Sequence, residues 1–294
     1  MTAEPTVVLE KLSFLEAPRW HGGRLWMSDF YTHRVLSAAP DGSDLQVEAE
    51  VPAQPAGLGW LPDGRLLIVS MRDGRLLRRE ADGALVTHAD LSAHATGHLN
   101  DMVVDAAGRA YVGNFGFDLM ADAPMDTAVL VRVDPDGTTH VAAEGLHFPN
   151  GAVIINGTLV VAETFGNRIS AFDIGGDGTL GPRRDWARFG DVPATTAVGE
   201  ALGQLAVAPD GICADAEGGV WAADALGNRA VRVVDGAIVD AVDAGTGVYA
   251  CVLGGDDGRT LYLCAAPGFA EHERRDTREA RLLAFRVDVA GPGA

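Results

Sequence analysis

The sequence has 294 residues, 47% of them hydrophobic, and its 23 Lys and Arg against 41 Asp and Glu leave a formal net charge of −18. Such acidity excludes nucleic acid and anionic membrane surfaces as partners, because both repel a negative chain. No window approaches the ~20 apolar residues of a membrane span, and no Pro-, Ser- or Gly-rich linker divides the chain, so one domain over residues 1–294 is expected.

Met1–Glu10 has no basic stretch leading into an apolar run, so no secretory leader is expected. Cys213, Cys251 and Cys264 each sit in an apolar, strand-like run without metal-type spacing, which suits small buried core residues. A reduced, cytoplasmic protein is the expectation.

The chain then repeats itself. Copies begin at Ala17 ("APRWHGGRLWMSDF"), Gly57 ("GLGWLPDGRLLIVS"), Asp101 ("DMVVDAAGRAYVGN"), Gly151 ("GAVIINGTLVVAE"), Gly211 ("GICADAEGGVWAAD") and Ala250 ("ACVLGGDDGRTLYLC"). Each reads as a short apolar strand, a glycine-containing tight turn, a second apolar strand, a loop, and a third alternating strand. Starts about 40 to 60 residues apart, with several strands per unit, predict an all-β fold: a six-bladed β-propeller of four-stranded antiparallel blades. "TVVLEKL", Thr6 to Leu12, precedes the first copy as a spare strand. It is expected to close the ring as the outer strand of the sixth blade, removing the seam.

In a propeller the first strand of each blade is innermost, so the residue just before each copy points toward one axis. Those residues are Glu16, Ala56, Asn100, Asn150, Asp210 and Tyr249. Asn-Gly and Asp-Gly are ordinary turn pairs, and the PDG at Pro209 resembles those at Pro40, Pro62 and Pro135. The latter three fall at hairpin tips, however, whereas Asp210 falls before a first strand, and Glu16 is a poor turn former. Four oxygen donors in one phase predict a site for a hard divalent cation, Ca2+ or Mg2+ rather than zinc or copper. Glu16 and Asp210 supply charge; Asn100 and Asn150 supply neutral carbonyl oxygens.

Long insertions from Phe115, Phe189 and Gly268 are expected to frame the same end of the channel, with a short helix within Thr195–Leu205. His272, Arg274 and Arg275 in the last of them read as solvated. Asp29, Glu163 and Asp224 share a position after second strands, where they could line the channel mouth; Asp29 and Asp224 could equally cap loops or pair with Arg34 and Arg229. No G-x-S-x-G elbow, dinucleotide fingerprint or P-loop is present.

The motifs "EAPRW" at Glu16, "LNDMVVD" at Leu99, "FPNG" at Phe148 and "PDGICAD" at Pro209, in this order and phase, resemble the senescence-marker protein/gluconolactonase (regucalcin-like) family of six-bladed propellers. The resemblance implies a divalent cation on Glu16, Asn150 and Asp210, with Asn100 as a fourth ligand or a substrate contact. Ca2+ comes first, with Mg2+, Mn2+ or Zn2+ as alternatives. It also implies hydrolysis of a lactone or related ester, a small-molecule substrate, with Asp210 as ligand and base. Sugar-lactone members carry an arginine where this chain has His98, and Phe115, Phe117 and Met120 make the neighbouring segment apolar. His98, Asn100, Phe115 and Phe117 are therefore the expected substrate contacts, and a lactone less polar than gluconolactone is the expected substrate. Two alternatives stay open at this point: phosphotriester hydrolysis at the same site, and a non-catalytic calcium-binding or interaction propeller.

Overall fold

A computed structural model describes residues 5–293; the two ends of the predicted 1–294 span, and the first four residues of the leader reading, lie outside them. The described chain forms six four-stranded antiparallel sheets arranged as a propeller. From axis to rim, blade 1 comprises Leu15–His21, Arg24–Asp29, Arg34–Ala38 and Gln46–Glu50. Blade 2 follows with Pro55–Trp60, Leu66–Ser70, Arg75–Arg79 and Leu85–Asp90, and blade 3 with Leu99–Val104, Ala110–Asn114, Ala128–Val133 and Thr139–Leu146. Blade 4 is Pro149–Ile155, Thr158–Glu163, Arg168–Asp173 and Arg184–Arg188; blade 5 is Pro209–Ala214, Val220–Asp224, Arg229–Val234 and Ala237–Asp243. Blade 6 takes Gly247–Gly254, Thr260–Ala266 and Ala280–Arg286 from the end of the chain and Thr6–Leu12 from its start. The predicted closure is thus observed, with Thr6 opposite Ala284 and Leu12 opposite Ala280.

Burial explains the strand patterns. Second strands are sandwiched between neighbouring sheets, so "LLIVS" of blade 2 is buried at every position. Rim strands such as Ala237–Asp243 face water along most of their length. The three cysteines are buried in the core, as expected.

One irregularity recurs at the axis. In every blade the first strand carries an extra residue relative to the second, between Glu16 and Arg19, Pro55 and Leu58, Leu99 and Met102, Pro149 and Ala152, Pro209 and Ile212, and Val248 and Ala250. Such β-bulges bend a strand and re-aim its side chains. They also bring neighbouring backbones together: a Cβ on Gly151 would lie 2.5 Å from the Ile212 nitrogen, and one on Gly211 would lie 2.4 Å from the Ala250 Cβ. By contrast, Gly42, Gly64 and Gly137, in the other PDG triplets, sit at φ of +83°, +86° and +88°. Gly211 has no such φ. The same tripeptide serves as a hairpin tip in three places and as a blade-to-blade contact in the fourth.

Candidate metal centre

Glu16, Asn100, Asn150 and Asp210 are each the second residue of an inner strand, in blades 1, 3, 4 and 5. The bulges turn all four into one cavity at the axis, beside Tyr249 of blade 6. Blade 2 places Ala56 at the equivalent position, where its carbonyl accepts from the Ser28 hydroxyl at 2.7 Å. Two residues next to the site hold left-handed backbone angles without being glycine, Ala17 at φ +48° and Phe148 at φ +60°. Strain of this kind costs of order 1–3 kcal/mol and persists where surrounding structure enforces it.

The hydrogen bonds show which atoms are left open. Asn100 Nδ2 donates to the Pro149 carbonyl at 3.3 Å, and Asn150 Nδ2 to Thr164 Oγ1 at 3.3 Å. The Thr164 hydroxyl in turn donates to the Pro209 carbonyl at 2.8 Å, which ties blade 4 to blade 5. With both amide nitrogens engaged by protein, neither Oδ1 accepts a hydrogen bond among the described residues. Asp210, only 6% exposed, keeps its Oδ1 buried with no partner. An unsatisfied buried carboxylate oxygen is costly, and this one has a ready explanation in a ligand.

Electrostatics agrees with geometry. Burial first, then the charges of Asp210 and Asp101, push the Glu16 carboxyl well above its ordinary range. Burial and Asp101 do the same to Asp210, against a lowering contribution from Asn150. Asp101 is a residue that sequence reasoning missed. It lies beside the centre, 2.5 Å from Arg19 Nη2, and that guanidinium also donates to the carbonyls of Met102 and Leu58. Burial still raises the Asp101 carboxyl, with Arg19 opposing. The adjacent acid in "LND" was the available signal; the bulge at Asn100 and Asp101 is what brings it to the axis.

Among the described residues no three His, Cys, Asp or Glu side chains gather in a metal-holding cluster. Two carboxylates with two amide carbonyls instead suit a hard cation that accepts neutral oxygen ligands and leaves positions for water. The donor set and the orphaned Asp210 oxygen therefore fit a Ca2+-type ion.

Around this centre the cavity is walled by aromatic rings. On one side Phe14 packs on Tyr249 at 4.8 Å and on Phe30 at 5.5 Å between centroids. On the other, Phe115 stacks on Phe148 at 4.4 Å, and Phe148 meets Phe165 edge-on at 5.4 Å.

The family model for the SMP-30/Gluconolactonase/LRE-like region matches residues 14–267. The chain belongs to that family. Among solved structures, a calcium-binding protein, regucalcin, from Agrobacterium tumefaciens is 18% identical and superposes with a TM-score of 0.77, covering 99% of this chain and 95% of the other. A luciferin-regenerating enzyme gives 17% identity and a TM-score of 0.76 over 98% and 97% of the two chains. A gluconolactonase from Xanthomonas campestris gives 21% identity and 0.72 over 96% and 89%. At these identities the likeness establishes the shared propeller.

Against that family background the remaining predicted residues divide. His98 and Phe115 line the cavity with Asn100. Burial and the charge of Arg72 lower the His98 pKa, so its imidazole is neutral at pH 7. Phe117 does not share the cavity: it packs behind Phe148 and Phe165, at 5.8 and 5.9 Å, and lines a neighbouring pocket with His147 and Thr196. Sequence alternation could not separate Phe115 from Phe117, because the loop at Gly116 (φ +82°) breaks it.

The three insertions reach the cavity through Leu119 and Met120, Leu202, and Phe269. The helix expected within Thr195–Leu205 is the shorter Val198–Leu202. Arg274, read as solvated, is buried and paired with Glu279 at 2.9 Å, while His272 and Arg275 are exposed. Asp29, Glu163 and Asp224 do not line the cavity either; they are saturated structural acids. Asp29 caps the Ser13 and Phe14 N–H groups at 3.0 Å and accepts from Thr32, with no pairing to Arg34. Asp224 caps Ala208 N–H and pairs with Arg229. Glu163 accepts from His147 N–H, Arg168 and Ser170.

Proposed function

We propose that this chain is a divalent-cation-dependent hydrolase of a lactone or related ester. One observation carries the reading: two carboxylates and two amide carbonyls from four blades converge, with Asp210 Oδ1 unpartnered, at the floor of an aromatic-walled cavity. Family membership supports it, as do relatives described as a gluconolactonase and as a calcium-binding protein.

Glu16, Asn100, Asn150 and Asp210 would hold the cation. When bound, it supplies Lewis-acid polarisation of the ester carbonyl and neutralises the charge that develops on its oxygen. The protein residues do the rest. Asp210, a buried carboxylate whose Oδ1 has no partner among the described residues, would accept the proton of the attacking water. His98 at the cavity wall, whose pKa burial lowers, would be a second acceptor through its ring nitrogen. The aromatic walls exclude bulk water and hold the apolar part of the substrate.

The test is turnover of aliphatic, aromatic and sugar lactones after chelation, then with Ca2+, Mg2+, Mn2+ or Zn2+ restored. Activity that returns with a cation and is lost in Asn150→Ala and Asp210→Ala is expected. A folded protein that turns over no lactone with any cation sinks the proposal.

A further inference from the structure

The cavity contains a second recognition feature besides the cation donors. Arg72, in the turn after the second strand of blade 2, is the only lysine or arginine among the described residues that line it. Its Nε donates to Gln54 Oε1 at 2.8 Å and its Nη2 to Glu271 Oε2 at 2.6 Å, while Nη1 makes no hydrogen bond among the described residues. Gln54 is itself fixed: it is 3% exposed, its Nε2 reaches Met71 Sδ at 3.1 Å, and its backbone is held at φ +73°. The guanidinium is thus oriented from behind by a buried amide at Nε, with Nη2 held by Glu271 and only Nη1 free.

Glu271 arrives from far along the chain, on the one-turn helix Glu271–Arg274 that overhangs blade 6. The Arg72 and Glu271 side chains are 36% and 31% exposed. Ion pairs this exposed contribute little, because water competes for both partners. One carboxylate can therefore replace another on Arg72 at small cost, and a guanidinium fork favours a planar bidentate carboxylate.

The other polar groups at the cavity wall are mostly spent. The Tyr31 hydroxyl donates to the Phe269 carbonyl at 2.8 Å, and Thr164 and Gln54 are bonded as described. Among the described residues only His98, the Tyr249 hydroxyl and Arg72 stay open beside the cation donors, so a polyhydroxylated sugar would bury part of its hydroxyls without partners, whereas an apolar ring or chain matches the facing aromatics.

Resting on the hydrolase reading above, we propose that the substrate is amphipathic: an apolar body between the aromatic walls, and a carboxylate, separate from the reacting ester, on Arg72. Glu271 occupies that position when no substrate is bound and is displaced by it.

Calorimetric titration of 4-phenylbutyrate against its neutral amide, with Ca2+ present, tests this without requiring turnover. The acid is expected to bind about tenfold more tightly than the amide, as a charge-assisted bidentate contact predicts. Arg72→Met should erase that preference. Glu271→Gln, on the exposed lid, should tighten the acid several-fold and leave the amide unchanged, an arm that stands even if the Arg72 variant folds poorly. Equal affinities in the unmodified protein, an acid preference that survives Arg72→Met, no response to Glu271→Gln, or no binding of either compound each overturns the proposal. The two readings fail separately. Lactone turnover without acid preference leaves the hydrolase intact and removes the Arg72 site; acid preference without turnover does the reverse.

Discussion

Two sets of side chains lie one ladder step apart in this propeller, one of three acids and one of two acids and an amide. Asp29, Glu163 and Asp224 end the second strands of blades 1, 4 and 5, directly opposite Leu15, Pro149 and Pro209. The very next residues after those partners are Glu16, Asn150 and Asp210. The outer acids are saturated with backbone N–H groups, hydroxyls and guanidinium groups. Among the described residues, Asp210 at the axis keeps a bare oxygen, and Glu16 accepts only the N–H of its own neighbour Ala17, at 3.1 Å. The outer acids are 0–1% exposed, Asp210 6% and Asn150 7%, with Glu16 part-buried, so the axial set is the less enclosed of the two and deeper burial does not distinguish it. Withheld partners do, and a fold that leaves a buried carboxylate unpaired loses stability that a bound cation can restore.

The sharpest way to break this comparison is to neutralise one member of each set. Asp210→Asn should reduce Ca2+ affinity by about 100-fold or more while raising the melting temperature of the chelated protein, since a repelled charge has gone. Calcium titration calorimetry and melts in EDTA read both; unchanged affinity would place the cation elsewhere. Glu163→Gln should behave oppositely, losing about 3 kcal/mol in urea unfolding because Arg168 is left uncompensated. Its Ca2+ affinity should change by less than about threefold.

Acidity should separate the sets without mutation. Burial alone would raise Glu163, but hydrogen bonds from Arg168, Ser170 and the His147 N–H outweigh it and hold the group below its ordinary value. Its stabilisation is present above the ordinary glutamate pKa and is lost as pH falls through the depressed one. Glu16 and Asp210 are raised, so their relative stabilisation is full below the ordinary carboxylate range and is lost as pH rises through the elevated values. Chelated protein should therefore be most stable in weak acid and decline toward neutrality, and Ca2+ should abolish the decline. Melting temperatures from about pH 3 to about pH 8, with EDTA and with Ca2+, check the sign. The smallest effect is expected for Thr164→Val, which removes the acceptor that turns the Asn150 amide: about 1 kcal/mol in stability and roughly three- to tenfold in Ca2+ affinity, by the same two measurements.

Much of this was legible in the sequence because repetition carries phase. Six copies fixed the blade count, the spare strand fixed the closure, and position within the copy picked out Glu16, Asn100, Asn150 and Asp210 from other Asn-Gly and Asp-Gly pairs. The bulges were not legible, since an extra residue in one strand alters pairing without altering composition. Gly151 and Gly211 looked like turn residues, yet what demands them is the backbone of the next blade. Contacts between distant segments were equally hidden. Nothing local in "EAPRW" announces that Arg19 meets Asp101, and nothing in "EHERR" shows that Arg274 turns inward while Arg275 stays in water. Phe117 was misplaced for a related reason: one glycine after Phe115 reverses the wall it faces.

The closure of blade 6 by Thr6–Leu12 has a consequence for synthesis. A ribosome delivers Thr6–Leu12 well before its partner Ala280–Arg286, so this strand waits, unpaired, while the five blades between them are made. Until Ala280–Arg286 has been made, Thr6–Leu12 is a bare strand, the kind of edge that chaperones must shield. Glu16 of blade 1 and Asp210 of blade 5 flank the sheet that these two strands share, so a cation held between them would also act across the joint that closes the ring.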